Sequence, residues 1–214
     1  VTVTIGTGAG PAIAGAAPAL ASVAAQLYAR GWMEGTAGNI SVRLPGGDTA
    51  LITASGLCKG SLTEHDVVEV GVEDARPVYP DAPRPSAETT IHTALYRLSA
   101  ACGAVVHAHP PYATAVATMA ARTGVTAVEF TELEIIKGLG VADPSSVAVP
   151  VFANHRDVPR IAADVTERLR ADASPVLLIG AHGATTWGPT LDVARNRMEC
   201  LEALCQLRLL LDRP

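Results

Sequence analysis

Apolar residues recur along this chain at two periods, near 3.6 and near 2, and the switches between them divide it into helices and strands. From Pro18, residues Leu20, Val23, Ala24, Leu27 and Tyr28 recur at helical spacing, and Gly31 supplies a stop. Ile40 to Arg43 and Ala50 to Thr53 flank the turn Pro45-Gly46-Gly47-Asp48 as a hairpin, and a strand is expected at Val67 to Val72. Ser86 is placed to cap a helix reaching Leu98, with Ile91, Leu95 and Leu98 on its buried side; Glu88 and His92, four apart, share a face. The pattern then predicts a strand at Ala104 to His109 running into a helix over about 111 to 122, opened by Pro110-Pro111. A strand at Val147 to Phe152, a helix opened by Asp157 and Pro159, a strand at Val176 to Gly180 and a final helix from Thr190 to Leu211 complete the chain. Hairpins mixed with helices predict an α/β fold with a central mixed, mainly antiparallel sheet covered by helices.

No linker or repeat divides the 214 residues, so one domain over residues 16–214 is expected, preceded by a flexible Gly, Ala and Thr-rich stretch at residues 1–15. Only 17% of the residues are charged, against roughly 25% in an average soluble protein, which predicts that other subunits cover part of the surface. The net charge of -5 and the lack of a Lys/Arg cluster argue against a nucleic-acid partner. There is no apolar run of membrane-spanning length, and Val1 to Gly15 holds no basic residue to begin a secretory signal, so a cytoplasmic protein is expected. Cys58, Cys102, Cys200 and Cys205 lack paired spacing and read as buried or free thiols.

The chemistry concentrates in Val105-Val106-His107-Ala108-His109. A strand turns residues i and i+2 to one face, so both imidazoles can meet one ion, with His182 as a third ligand where another strand ends among small residues. The same spacing also suits two hydrogen-bonded core histidines. Gly35 to Asn39, Ser55-Gly56 and Pro85-Ser86 combine glycines with hydroxyl and amide groups at loop ends and a helix start, a composition that serves either a phosphate cradle or plain turns.

Taken in order, GTAGNISVR, ITASGLCKG, RPSAETTIHTALY, AVVHAHPPYAT and GAHGATTWG resemble the class II aldolase/adducin family from about residue 20 to 211. The resemblance implies a metal-dependent lyase acting on a ketose phosphate, with one zinc ion per subunit held by His107, His109 and His182. It implies that Glu88 is an acid/base or a displaceable metal ligand, and that Thr36, Gly38, Asn39, Ser55, Gly56 and Ser86 hold the substrate phosphate. It also implies a homotetramer with active sites near subunit interfaces. The non-enzymatic adducin branch lacks this full residue set, whereas every position is filled here.

Within the family, Glu132 to Gly138, Val149 to Asn154 and Thr186-Trp187-Gly188 resemble the branch that dehydrates 5-methylthioribulose 1-phosphate to a 2,3-diketo phosphate in methionine salvage. In that branch the glutamate matching Glu134 is the catalytic acid/base; from its spacing alone, Glu134 is a surface carboxylate paired with Lys137. The rival activity is aldol cleavage to dihydroxyacetone phosphate and an aldehyde. Aldolases of the fuculose-phosphate type use tyrosines at mid-chain and near the C-terminus, and this chain has only Tyr28, Tyr79, Tyr96 and Tyr112. The division of base and acid between Glu88 and Glu134 stays open at this stage.

Overall fold

Alternation along the strands sorts the side chains into two layers, and the architecture follows from that sorting. The computed structural model describes residues 11–170 and 172–212. Among the described residues the strands are β1 (Asn39–Arg43), β2 (Thr49–Thr53), β3 (Val67–Gly71), β4 (Ala104–Ala108), β5 (Ala127–Thr131), β6 (Ser146–Phe152), β7 (Val176–Ile179) and β8 (Gly183–Gly188). They form one sheet in the order β3-β2-β1-β4-β8-β7-β6-β5. Only the β6 and β7 pair is parallel, so the sheet is mixed and mainly antiparallel, as the sequence predicts.

The helices are α1 (Pro11–Ala29), α2 (Thr89–Leu98), α3 (Pro111–Arg122), α4 (Val158–Arg168) and α5 (Leu191–Leu211). Leu20 and Leu27 of α1, Val116 of α3 and Met198 and Leu201 of α5 share one core with Ile40, Val106 and Leu178 of the sheet. Ile91 and Leu95 of α2 and Ile161 and Val165 of α4 share the other with Ile52, Val105 and Leu177. Adjacent strand residues such as Val105 and Val106 thus belong to opposite cores, each fully buried large side chain contributing about 1.5–3 kcal/mol. No helix among the described residues is long and apolar enough to cross a membrane. The cysteines are free thiols.

Four elements differ from the sequence reading. Helix α1 begins at Pro11, and Pro18, which proline's preference for a first turn marks as a start, lies inside it. Residues 1–10 of the expected flexible stretch lie outside the described residues. Helix α2 begins three residues after Ser86. Strand β5 offers only Val128 and Phe130 as buried alternating positions, too short a pattern to register. Strand β8 reads as a loop because it carries Thr185-Thr186 between glycines, yet both threonines are fully buried at the centre of the sheet. Their hydroxyls are satisfied by the His107 ring and by the Ala194 carbonyl, which removes the cost of burying them.

Candidate metal centre

Strand β4 lies between β1 and β8, with His107 opposite Asn39 on one side and opposite Thr185 on the other. Its alternation sends Val105 and His107 toward α2. The strand ends at Ala108, and the chain brings His109 Nε2 to 3.1 Å from His107 Nε2. His182 sits in the tight connection between β7 and β8, after Ala181 at φ 52°, whose N–H is held by Thr118 Oγ1 at 3.1 Å. Gly183 has to be glycine. A Cβ there would fall 2.4 Å from the Ala108 carbonyl oxygen and 2.8 Å from the His109 ring, so any side chain would push the His182 turn off the His-x-His segment. The three histidines each offer a nitrogen, all within 4.8 Å of one another.

Glu88 closes the group from the start of α2. Its Oε1 lies 2.8 Å from His182 Nε2 and its Oε2 3.4 Å from His107 Nε2, while Asn39 Nδ2 donates to Oε2. Burial alone raises the Glu88 carboxyl; the facing His107 and His182 rings and the Asn39 amide outweigh it and hold the group below the usual carboxylate range. Burial pushes the His107 imidazole down to about 3 against the pull of Glu88, so this ring is neutral at pH 7. His109 is lowered by burial and by His182. With His107 Nδ1 taken up by Thr185 Oγ1 at 2.9 Å, Nε2 presents a lone pair inward. His182 turns Nε2 toward Glu88 and the other two rings, while its buried Nδ1 has no hydrogen-bond partner among the described residues. Imidazole lone pairs and a carboxylate turned toward one point repel unless a positive charge lies among them, and this donor set fits a divalent cation of the zinc type.

The three predicted phosphate segments gather beside this centre. An isolated bridge between Ala54 and Pro85 and a bond from Ser55 N–H to the Arg84 carbonyl at 2.9 Å bring Ser55-Gly56 to Pro85-Ser86. Ser86 Oγ accepts from the Glu88 N–H at 3.3 Å. Gly38, at φ 75°, passes so close to β4 that a Cβ would lie 3.0 Å from the His107 carbonyl oxygen. The Thr36 carbonyl faces Lys59. The Asn39 side chain points inward, its amide on Glu88 and its carbonyl 2.6 Å from His92 Nε2, so it is not offered outward to a phosphate.

Glu134 stands apart from this assembly. It opens the 3-10 helix Glu134–Leu139 after the edge strand β5, its side chain is 84% exposed, and Lys137 Nζ lies 2.7 Å away.

Two structural residues escaped the sequence reading. Lys59 is 1% exposed, and its ammonium donates to the Thr36 carbonyl at 2.9 Å and the Leu57 carbonyl at 2.8 Å, stapling the first two phosphate segments together. Burial lowers its pKa, opposed by Cys58 and Glu88. Glu202 of α5 accepts from Tyr112 N–H at 3.0 Å and Ala113 N–H at 2.7 Å, capping α3 just after the His-x-His segment where Pro110 offers no side-chain cap. A cue existed for Glu202 alone: a carboxylate set among Leu201, Leu204 and Cys205 on an otherwise apolar stretch.

A family model, class II aldolase and adducin N-terminal domain, matches residues 18–209. A Nocardia farcinica protein named as a probable bifunctional methylthioribose-1-phosphate isomerase/methylthioribulose-1-phosphate dehydratase is 56% identical over 88% of this chain, and the match spans only 34% of that longer protein. The methylthioribulose-1-phosphate dehydratase of Microcystis aeruginosa is 40% identical over 86% of this chain and 89% of its own length. Among solved structures, the L-fuculose-1-phosphate aldolase of Thermus thermophilus superposes with a TM-score of 0.71 at 32% identity, over 90% of this chain and 92% of that one. YgbL from Escherichia coli gives a TM-score of 0.77 at 30% identity, over 92% and 90% of the two chains. With its sheet, its ordered motifs and these likenesses in agreement, the chain belongs to the class II aldolase and adducin family.

Proposed function

We propose that this protein is a zinc-dependent lyase of the cytoplasm that dehydrates 5-methylthioribulose 1-phosphate to the 2,3-diketo phosphate, working as a homotetramer. The observation that carries the reading is the convergence of His107, His109 and His182 beside the buried Glu88, in a chain whose relatives include named dehydratases of matching length.

His107, His109 and His182 would hold the ion. When bound, it supplies a Lewis acid that draws electrons from the substrate's C2 carbonyl and C3 hydroxyl. Glu88, kept anionic by its neighbours, is the base that removes the C3 proton. Glu134 gives a proton to the C4 hydroxyl, the C4–O bond breaks, water departs, and the resulting enol becomes the second ketone. Because Glu134 is exposed and remote from Glu88 in the fold, it acts on the centre of a neighbouring subunit. The phosphate docks on the loops of Thr36, Gly38, Asn39, Ser55, Gly56 and Ser86, through backbone N–H groups and hydroxyls, with Asn39, held in β1 opposite His107, fixing the end of its loop.

Assay of the purified protein with one equivalent of zinc on methylthioribulose 1-phosphate is expected to yield the diketo phosphate, and failure to form it sinks the proposal. Aldol cleavage is the second reading, favoured by the likeness to the Thermus aldolase; release of dihydroxyacetone phosphate from a 5-deoxypentulose phosphate is its signature. Elemental analysis of wild type and His182→Ala checks the ligand set, and equal zinc content in both would overturn it.

A further inference from the structure

Between Glu88 and the far end of α2 runs a line of buried polar groups that the proposed chemistry leaves unused. Glu88, His92 and Tyr96 recur every fourth residue along one face of α2 and its cap, and Asn39 and Ser41 alternate on one face of β1. The two rows interleave. Asn39 Nδ2 donates to Glu88 Oε2, Asn39 Oδ1 lies 2.6 Å from His92 Nε2, His92 Nδ1 lies 2.7 Å from Ser41 Oγ, and Ser41 Oγ lies 2.6 Å from the Tyr96 hydroxyl. Asn39, Ser41, His92 and Tyr96 are each no more than 3% exposed.

Counting donors gives the line a direction. A carboxylate only accepts, so Asn39 turns its NH2 to Glu88 and its carbonyl to His92. His92 then donates from Nε2. Burial pushes this ring down to about 4, so it is neutral and its Nδ1 is an acceptor. Ser41 fills that acceptor with its single hydrogen, and Tyr96 donates to Ser41. Every hydrogen in the line points toward Glu88, and buried chains of one polarity strengthen one another.

We propose that Tyr96, Ser41, His92 and Asn39 form a one-way donor chain that aims the Glu88 carboxylate at the three histidines, with His92 as a positioning residue for the reaction. The proposal rests on the function given above, in which Glu88 is the base.

Nitrogen-15 spectra of the histidine rings of the zinc-loaded protein test the direction without any assay: His92 is expected as the neutral Nε2–H tautomer, and an Nδ1–H ring would overturn the chain. His92→Leu is expected to lower kcat about tenfold with KM and zinc content unchanged. His92→Gln, whose amide can accept and donate on the same two sides, is expected to recover most of that loss. A loss carried by KM or by zinc content, or equal losses in the Leu and Gln variants, would make His92 merely structural and overturn the role. Should His92→Leu fail to fold, Ser41→Ala carries the same test by removing the donor to His92 Nδ1, and wild-type kcat in that variant overturns the proposal. Glu88→Gln separates the two claims. A fully active Glu88→Gln removes the base and the positioning claim together, whereas an inactive Glu88→Gln beside a fully active His92→Leu overturns the positioning claim alone.

Discussion

Glu88 and Glu134 carry the same functional group in opposite surroundings. Glu88 lies at the heart of the molecule, 9% exposed, with the Asn39 amide and two imidazoles on its oxygens. Glu134 lies beyond the edge of the sheet, 84% exposed, with one lysine beside it. The chain itself dictates the orientation and charge of the first carboxylate; the second has solvent around it and acquires a defined environment only when something covers it. In the site proposed above, one half is built by folding and the other would come with assembly.

The sharpest break between the halves is expected from His107→Ala. Loss of a buried ligand should abolish zinc binding and lower kcat/KM by about a thousandfold or more, and a variant keeping both zinc and activity would refute the folded half as described. Next in size is acid sensitivity. In the folded chain His92 is held at about 4, below its ordinary 6.5, so as pH falls below 6.5 the unfolded chain takes up a proton that the folded chain refuses until about pH 4. Stability contributed by the neutral ring is therefore present above pH 6.5 and lost toward pH 4, by about 3 kcal/mol. Urea midpoints of wild type and His92→Gln across this window should show a shallower slope for the variant, and equal slopes would contradict the assignment.

Glu134→Gln should cost about a hundredfold in kcat while leaving zinc content unchanged and thermal stability within about 0.5 kcal/mol, as expected of an exposed residue. Mixed with His107→Ala subunits and allowed to exchange, it should regain activity, because each variant supplies the half that the other lacks. No recovery would mean that both carboxylates serve the centre of their own chain. The smallest effect expected is that of Lys59→Met, which leaves the Thr36 and Leu57 carbonyls without their donor; KM should rise about tenfold with kcat little changed. A change in kcat alone would place Lys59 with Glu88 rather than with the phosphate loops.

Much of the folded half is legible in the sequence because it rests on periodicity. Two histidines separated by one residue where an apolar strand ends can reach one point, and a third histidine flanked by Ala181 and Gly183 marks a close approach that the Cβ geometry at Gly183 explains. The helices announce themselves by their 3.6 spacing. What stays hidden are features whose logic lies across the fold. Strand β8 is central because its threonine hydroxyls have partners, and those partners are remote in sequence. Lys59 is buried because two carbonyls converge on it, while a lysine in a glycine-rich loop reads as solvated. The inward turn of Asn39 follows from the demands of Glu88 and His92, whereas the motif around it reads only as a phosphate loop.

The pairing of His107 with Thr185, 78 residues apart, ties the histidine strand to the last strand in the chain. An ion held by His107, His109 and His182 joins the same two stretches, and the unfolded chain cannot present these ligands together. Binding is then linked to folding by mass action: each tenfold rise in free ion above its dissociation constant adds about 1.4 kcal/mol to the stability of the native state. The melting temperature becomes a readout of metal preference, and a series of divalent ions ranked by the midpoint each produces at equal free concentration would order their affinities for this centre without a substrate in the tube.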